Sequence, residues 1–376
     1  MWYKNVRYFA GDDGFIHGCF CVENGRFVYV GKGDAPVDAE CTDLGGAYVL
    51  PGLVDIHIHG AVGADFSDGD KDGLIRMAQF LLRRGITSFI PTSMTLPYET
   101  LDKAFQTAAE VRREQPEGAS RIVGIHMEGP FVSKKKCGSQ NPAYLKEPDA
   151  EAIRRLQEKC GGLIRIVDAA PELPGAEGFA SQVSEICRVS AAHTDSGFED
   201  AARFFAAGAR HLTHLFNAMP PIHHRNPGVI GAASERRDVT AELICDGFHV
   251  HPAAVAMAFK LFPERICLIS DALRCMGMPE GSYELGGQTV RLEGAVARLV
   301  DGTIAGAATD LFQDLRNAIS FGIPAVTAIK AATINPAAAA GWDDRIGSIE
   351  EDKIADFLIC DDELNLKQVV FEGKTV

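Results

Sequence analysis

No CxxC pair occurs in this chain, although it holds ten cysteines. The closest two, Cys19 and Cys21, fall on one face of a strand-like run and would not bridge. A chain of 376 residues is long enough to bury its own core, and no signal-peptide pattern opens it. Scattered cysteines in that setting predict reduced thiols and a cytoplasmic protein rather than a disulfide framework. No apolar run reaches transmembrane length. Nor is there a Lys/Arg-rich stripe: 37 basic residues face 51 acidic ones, a formal charge of −14, which disfavours nucleic acid as the main partner. Neither GxGxxG nor GxxxxGK(S/T) follows any strand pattern, so the common dinucleotide and P-loop signatures are missing.

What is present has the texture of an ordinary globular protein. Hydrophobic residues make up 46%, charged residues 23%, and mean hydropathy is zero, which excludes disordered, fibrous and membrane classes. The first fifty residues alternate apolar and polar positions between turn signals, as in FIHGCFCV and GRFVYVGKG. The last thirty return to that style in KIADFLICDD and KQVVFEGKTV. Termini usually lie close together, so residues 1–50 and 343–376 are expected to build one small β-sandwich module. Between them, short β-rich runs alternate with helical stretches: VDIHIH, GITSFIPT, RIVGIHME, LIRIVDAA, CRVSAAH, ARHLTHLF, TAELIC and RICLISDA. Eight such units match an α/β fold of the (β/α)8 TIM-type barrel class over residues 51–342, against about 250 residues in a typical case.

Histidine is the unusual component. Ten of the eleven lie between His57 and His251, and only His17 falls outside. His57 and His59 stand two apart in a strand, so both imidazoles share a face. The pair closes the first strand, at the rim where barrel active sites sit. Glu128 ends the third strand, His193 the fifth, His214 the sixth and Asp271 the eighth. Each has a structural explanation alone, as an ion pair, a core histidine or an N-cap. Their coincidence at one rim points instead to a divalent transition metal held by imidazole and carboxylate, one or two ions per chain. A shared carboxylate would make the site binuclear, and such a site lowers the pKa of bound water towards about 7. Asp271 could then accept that water's proton and return it to a leaving amine.

The motifs PGLVDIHIHG, HMEGPF, AAHTDSG, HLTHLFNAMPP, CDGFHVHP and ISDALR follow one another in the order and spacing of N-acetylglucosamine-6-phosphate deacetylases, within the amidohydrolase superfamily. The chain resembles that family over nearly its whole length. The resemblance implies hydrolysis of the acetamide of N-acetyl-D-glucosamine 6-phosphate in a homodimer, by a metal-dependent route with Asp271 as general base and acid. It implies a metal site at Glu128, His193 and His214, and a second at His57 and His59 that Glu128 would bridge. Zinc is the metal expected first, while iron, manganese and cobalt suit the same ligands. By the same resemblance Asn217, Ala218 and His249 bind substrate, Ala305 and Gly306 close over the sugar, and Arg225 holds the phosphate, in some members across a subunit boundary. His126 is expected in the barrel interior, His211 on a helix-facing surface, and His251 either behind the site residues or at a helix start.

Two departures stand out. Gln140 occupies the position of a family histidine that polarises the acetyl carbonyl, and glutamine donates a hydrogen bond but carries no charge. GAATDLF follows where many relatives have a bulkier apolar residue at the substrate lip. Both bear on the sugar, and N-acetylgalactosamine 6-phosphate is the alternative substrate. A different amidohydrolase is the broader alternative. Many cyclic-amide hydrolases of this superfamily carry a carboxylated lysine on the fourth strand, and LIRIVDAAPE has none.

Overall fold

The computed structural model describes all 376 residues, Met1–Val376. Its centre is eight parallel strands: β1 (Leu53–Ile58), β2 (Ile86–Ser93), β3 (Ile125–Phe131), β4 (Ile164–Ala169), β5 (Arg188–Ala191), β6 (His211–Leu212), β7 (Thr240–Ile244) and β8 (Ile266–Ile269). They pair in chain order. The ring closes at its C-terminal end, where the Asp271 N–H donates to the His57 carbonyl at 3.0 Å and the His59 N–H to that of Ala272 at 2.9 Å. One turn deeper, the Ser270 hydroxyl donates to Asp55 at 2.6 Å. The expected (β/α)8 barrel is therefore the fold, with every β-rich run of the sequence supplying one strand.

The helices between strands form because their apolar residues recur every three or four positions. In α1 (Lys71–Arg83), Leu74, Met77, Ala78, Leu81 and Leu82 are buried, and Asp70 caps the first turn by accepting from the Asp72 N–H. The 17-residue α2 (Tyr98–Glu114) buries Leu101, Ala104, Phe105, Ala108 and Val111 in the same rhythm. One large apolar core lies between this helical layer and the strands.

The unit after β8 departs from the pattern. Before its helix, Leu311–Ser320, the chain makes a four-stranded antiparallel meander: β9 (Gly281–Leu285), β10 (Gln288–Glu293), β11 (Val296–Leu299) and β12 (Ile304–Ala307). Its Leu285, Val290, Leu292 and Ala297 pack on Met94, Leu273 and Cys275, so it lies over the barrel's C-terminal rim.

The chain ends share a second sheet. Strands Trp2–Phe9, Phe15–Glu23 and Arg26–Lys32 pair antiparallel, and Tyr48–Pro51 joins them to the C-terminal strands Phe357–Cys360 and Leu366–Phe371. Phe357 is the keystone of this module's core, its ring 5.1 Å from Phe20, 5.2 Å from Tyr3 and 6.0 Å from Phe27. Arg121, at the foot of the third barrel strand, ties the module down by donating to Asp356 at 2.6 Å and Glu372 at 2.8 Å. No helix is long and apolar enough to cross a membrane.

Candidate active site

Strand alternation places His57 and His59 together inside the barrel rim, their Nε2 atoms 3.3 Å apart. Val54 and Ile56, on the opposite face, pack with Ile90, Ala337 and Ala340. Glu128 reaches in from β3, and its Oε1 lies 2.9 Å from His193 Nε2 and 3.0 Å from His214 Nε2. The two latter nitrogens are 3.1 Å apart. Glu128 Oε2 lies 3.3 Å from His59 Nε2, so the carboxylate spans both histidine pairs. Asp271 completes the cluster, its Oδ1 3.3 Å from His59 Nε2 and 3.5 Å from His57 Nε2.

The backbone bends to achieve this. His193, His214 and Asp271 have φ of 43°, 30° and 48°, a left-handed conformation uncommon for residues other than glycine. Each stands just beyond its strand, where the chain leaves the sheet and the side chain must be turned inward. Strain of that kind concentrates at functional sites.

Hydrogen bonding on the far side of three of the four rings fits a metal-binding role, while the buried His214 Nδ1 has no partner. The His59 Nδ1–H donates to the Thr92 carbonyl at 3.1 Å, and the His193 Nδ1–H to that of Lys136 at 2.9 Å. Carbonyls only accept, so the neutral rings carry hydrogen on Nδ1 and direct the Nε2 lone pair inward. His57 Nδ1 is held by Glu242 at 2.8 Å. Two donor groups result, His57–His59–Glu128 and Glu128–His193–His214, each with ligand atoms within 4.8 Å of one another. The electrostatics agree. Burial alone would raise both carboxylates, but the surrounding imidazoles outweigh it and hold Glu128 and Asp271 below the ordinary carboxylate range. Burial likewise disfavours charge on the rings, yet Asp271 and Glu128 lift His59 well above its usual value, and Glu128 lifts His214 to about 9. The cluster favours positive charge at its centre, and nitrogen and oxygen donors of this kind suit a divalent transition metal.

Above the cluster opens a cleft of about 280 Å³, lined by His59, Glu128, His193, His214 and Asp271 at its floor and by Asn217, Ala218, His249 and Ala305 higher up. Lys135, Lys136 and Ser139 complete one wall. The His249 Nδ1–H donates to the buried Asp246 at 2.6 Å, which fixes the ring. Asn217 donates to the carbonyls of His214 and Leu215. Gly306 stands beside Asp271, where a Cβ would meet the Leu273 side chain at 2.8 Å. Two expected substrate residues lie elsewhere. Arg225 is on an exposed loop against His224 and does not line its own cleft. Gln140 is buried behind Glu128 and does not line the cleft either.

A polar layer beneath the site escapes the motif reading. Glu242, fully buried in β7, accepts from His57, from His211 Nε2 at 3.0 Å and from the His214 backbone N–H at 3.2 Å. Asp168 on β4 accepts from His126 at 3.0 Å and from the Thr213 hydroxyl at 2.9 Å. The available signal is a lone acid in an apolar buried strand, TAELIC or IRIVDA, because buried acids are almost always paired. His126 lies in the interior as expected, and His251 caps the helix Pro252–Leu261, the second of its two expected places. His211 does not face the helices. It points inward to Glu242, because His214 leaves the strand in a left-handed turn and so shares the barrel interior with His211 despite the odd spacing.

Comparison with known proteins places this geometry among relatives. The family model described as "Amidohydrolase family" matches residues 48–376. N-acetylglucosamine-6-phosphate deacetylase of Bacillus subtilis is 37% identical over 346 residues, 90% of this chain and 87% of that protein. N-acetylgalactosamine-6-phosphate deacetylase of Escherichia coli O157:H7 is 32% identical over 341 residues, 90% of each. Among solved structures, an N-acetyl-D-glucosamine-6-phosphate deacetylase from Mycobacterium smegmatis, an aspartate-to-alanine mutant in complex with N-acetyl-D-glucosamine-6-phosphate, superposes with a TM-score of 0.93 at 32% identity, covering 100% of this chain and 98% of that one.

Proposed function

The chain belongs to the amidohydrolase family and, within it, to the N-acetylglucosamine-6-phosphate deacetylases; from that premise we propose that it hydrolyses the acetamide of N-acetyl-D-glucosamine 6-phosphate to glucosamine 6-phosphate and acetate. The observation that carries the reading is the meeting of four imidazole Nε2 atoms, Glu128 and Asp271 on the floor of one cleft. Glu128, His193 and His214 would hold one divalent cation, and His57 and His59 a second that shares Glu128. When bound, the cation supplies Lewis acidity, stabilising developing negative charge and lowering the pKa of adjacent water. Zinc is the first choice, and iron, manganese and cobalt suit the same donors.

The chain's own residues do the rest. Asp271, ionised at neutral pH, takes a proton from the attacking water and delivers it to the amine nitrogen as the C–N bond breaks, leaving acetate. His249, its ring fixed by Asp246, lines the cleft where it can meet the substrate. Asn217 and Ala218 hold the sugar phosphate from one side, with Ala305 and Gly306 over it. Arg225, exposed and off its own cleft, serves a neighbouring subunit, so the working form is a homodimer; its planar fork of N–H groups matches a phosphate. Binding energy from the phosphate aligns the acetamide. In this reading residues 51–342 are the catalytic barrel, and 1–50 with 343–376 a supporting module. Ten free cysteines suit a reducing cytoplasm.

Acetate release from a panel of N-acetylhexosamine 6-phosphates tests the reading. The gluco epimer is expected as the preferred substrate, and a preference for the galacto epimer would move the assignment to the activity named for the Escherichia coli relative. Asp271→Asn should retain metal and lose turnover by at least about 100-fold, the lower range for a positioned acid–base. Near-normal turnover in that variant would remove Asp271 from its role.

A further inference from the structure

Gln140 lies just behind the cleft, 2% exposed, and its carboxamide bonds Thr95 and Glu128, with the Met94 sulfur a longer contact of Nε2 at 3.9 Å. Its Oε1 accepts the Thr95 backbone N–H at 2.7 Å. A backbone N–H can only donate, so this contact fixes which end of the amide is oxygen. The Nε2 end must then face Glu128, and it donates to Glu128 Oε2 at 2.6 Å. The two oxygens of Glu128 are thereby given separate duties. Oε1 points to His193 and His214, while Oε2 is held between Gln140 and His59. Without the Gln140 donor, Oε2 would be left with His59 alone, while Oε1 kept His193 and His214.

The loop that carries Gln140 is itself anchored at both ends of the site. The Ser133 N–H donates to the His193 carbonyl at 2.8 Å, and Lys136 receives the His193 ring N–H. Farther along, the Ser139 carbonyl accepts from Gln288 of the meander at 2.6 Å. Gln140 therefore sits on a braced segment, with little freedom to swing into the cleft.

We propose that Gln140 is a positioning residue for the metal-binding carboxylate, acting through Glu128, and not a contact to the substrate. The inference rests on the functional reading above, in which Glu128 is a metal ligand. It predicts that loss of the amide weakens metal binding while leaving substrate binding by the loaded enzyme nearly intact. The test uses Gln140→Met, which keeps the length of the side chain and removes the donor, with Gln140→Ala beside it. Cobalt(II) is titrated into metal-free protein and followed by its visible absorption, and KM and kcat are then measured at saturating cobalt. The expected result is a cobalt dissociation constant raised about 10- to 100-fold in both variants, the scale on which lost outer partners of metal ligands act. KM at saturating metal should stay within about threefold of the parent. An unchanged cobalt affinity combined with a raised KM would overturn the proposal and return Gln140 to the substrate. Parent protein that binds no cobalt would overturn the functional reading itself, which keeps the two failures distinct.

Discussion

At the scale of single residues, the site depends on acids placed where they satisfy donors that water cannot reach. Glu242 is the clearest, since its two oxygens serve His57, His211 and the His214 backbone at once. Glutamine there offers one acceptor oxygen and sets an N–H against another donor. Glu242→Gln should therefore lower metal affinity and turnover by about 10- to 100-fold, read by chelator competition and acetate release. A variant with parental affinity would show that His57 is held by the fold alone. The sequence makes His57, His59, Glu128, His193, His214 and Asp271 legible because each falls near the C-terminal end of a β-rich run inside a recognisable motif. Glu242 and Asp168 carry no motif, and a lone acid in a strand looks the same whether it faces a histidine or a helix. Gln140 could be placed by its neighbours in the chain, but the direction of a loop side chain does not follow from spacing, and its partner Glu128 became visible only in three dimensions.

Among elements, the meander between β8 and the helix Leu311–Ser320 matters most. Its last strand, β12, runs beside Asp271: the Ala307 N–H donates to the Asp271 carbonyl at 3.0 Å, and the Leu273 N–H to that of Ala307 at 3.0 Å. Gly306 lies between, and a Cβ there would sit 3.0 Å from the Asp271 carbonyl oxygen as well as against Leu273. Gly306→Ala should push β12 away from the strand end that aims Asp271. The expected loss in kcat is about 10- to 100-fold, since displacements near 1 Å have that effect. Circular dichroism should show the fold retained, and unchanged kcat would mean the meander yields without moving Asp271. The turns of this insertion are written in the chain as Gly286–Gly287, Gly294 and Gly302. An expectation of strand followed by helix reads past them, because a regular (β/α)8 repeat has no place for a hairpin between β8 and its helix.

Considered as a whole molecule, the protein is a barrel and a β module pinned together through Arg121. Arg121 is 7% exposed, and its guanidinium pairs with Asp356, which is 4% exposed. Burial already pushes the Asp356 carboxyl upward, with Arg121 as the main counterweight. Removing one partner of such a pair leaves the other stranded, so Arg121→Met should destabilise the protein by about 3–5 kcal/mol, measured as a lower urea midpoint. A midpoint within error of the parent would mean that the two parts are joined by packing alone. The union of the chain ends was legible from their shared alternation. The pin was not, since Arg121 and Asp356 are far apart in sequence and neither sits in a distinctive motif.

The position of Phe357 carries a consequence for how the molecule is made. Tyr3, Phe20 and Phe27 leave the ribosome early, but the ring that completes their core follows some three hundred residues later. At about 5–20 residues per second that interval is on the order of tens of seconds. Over that time the strand Tyr48–Pro51 waits for its neighbour Phe357–Cys360, while the barrel it leads into is being synthesised. A segment made well before Phe357 is thus finished only after it, and a nascent chain halted short of Phe357 would present an open, aromatic sheet edge to whatever surrounds it.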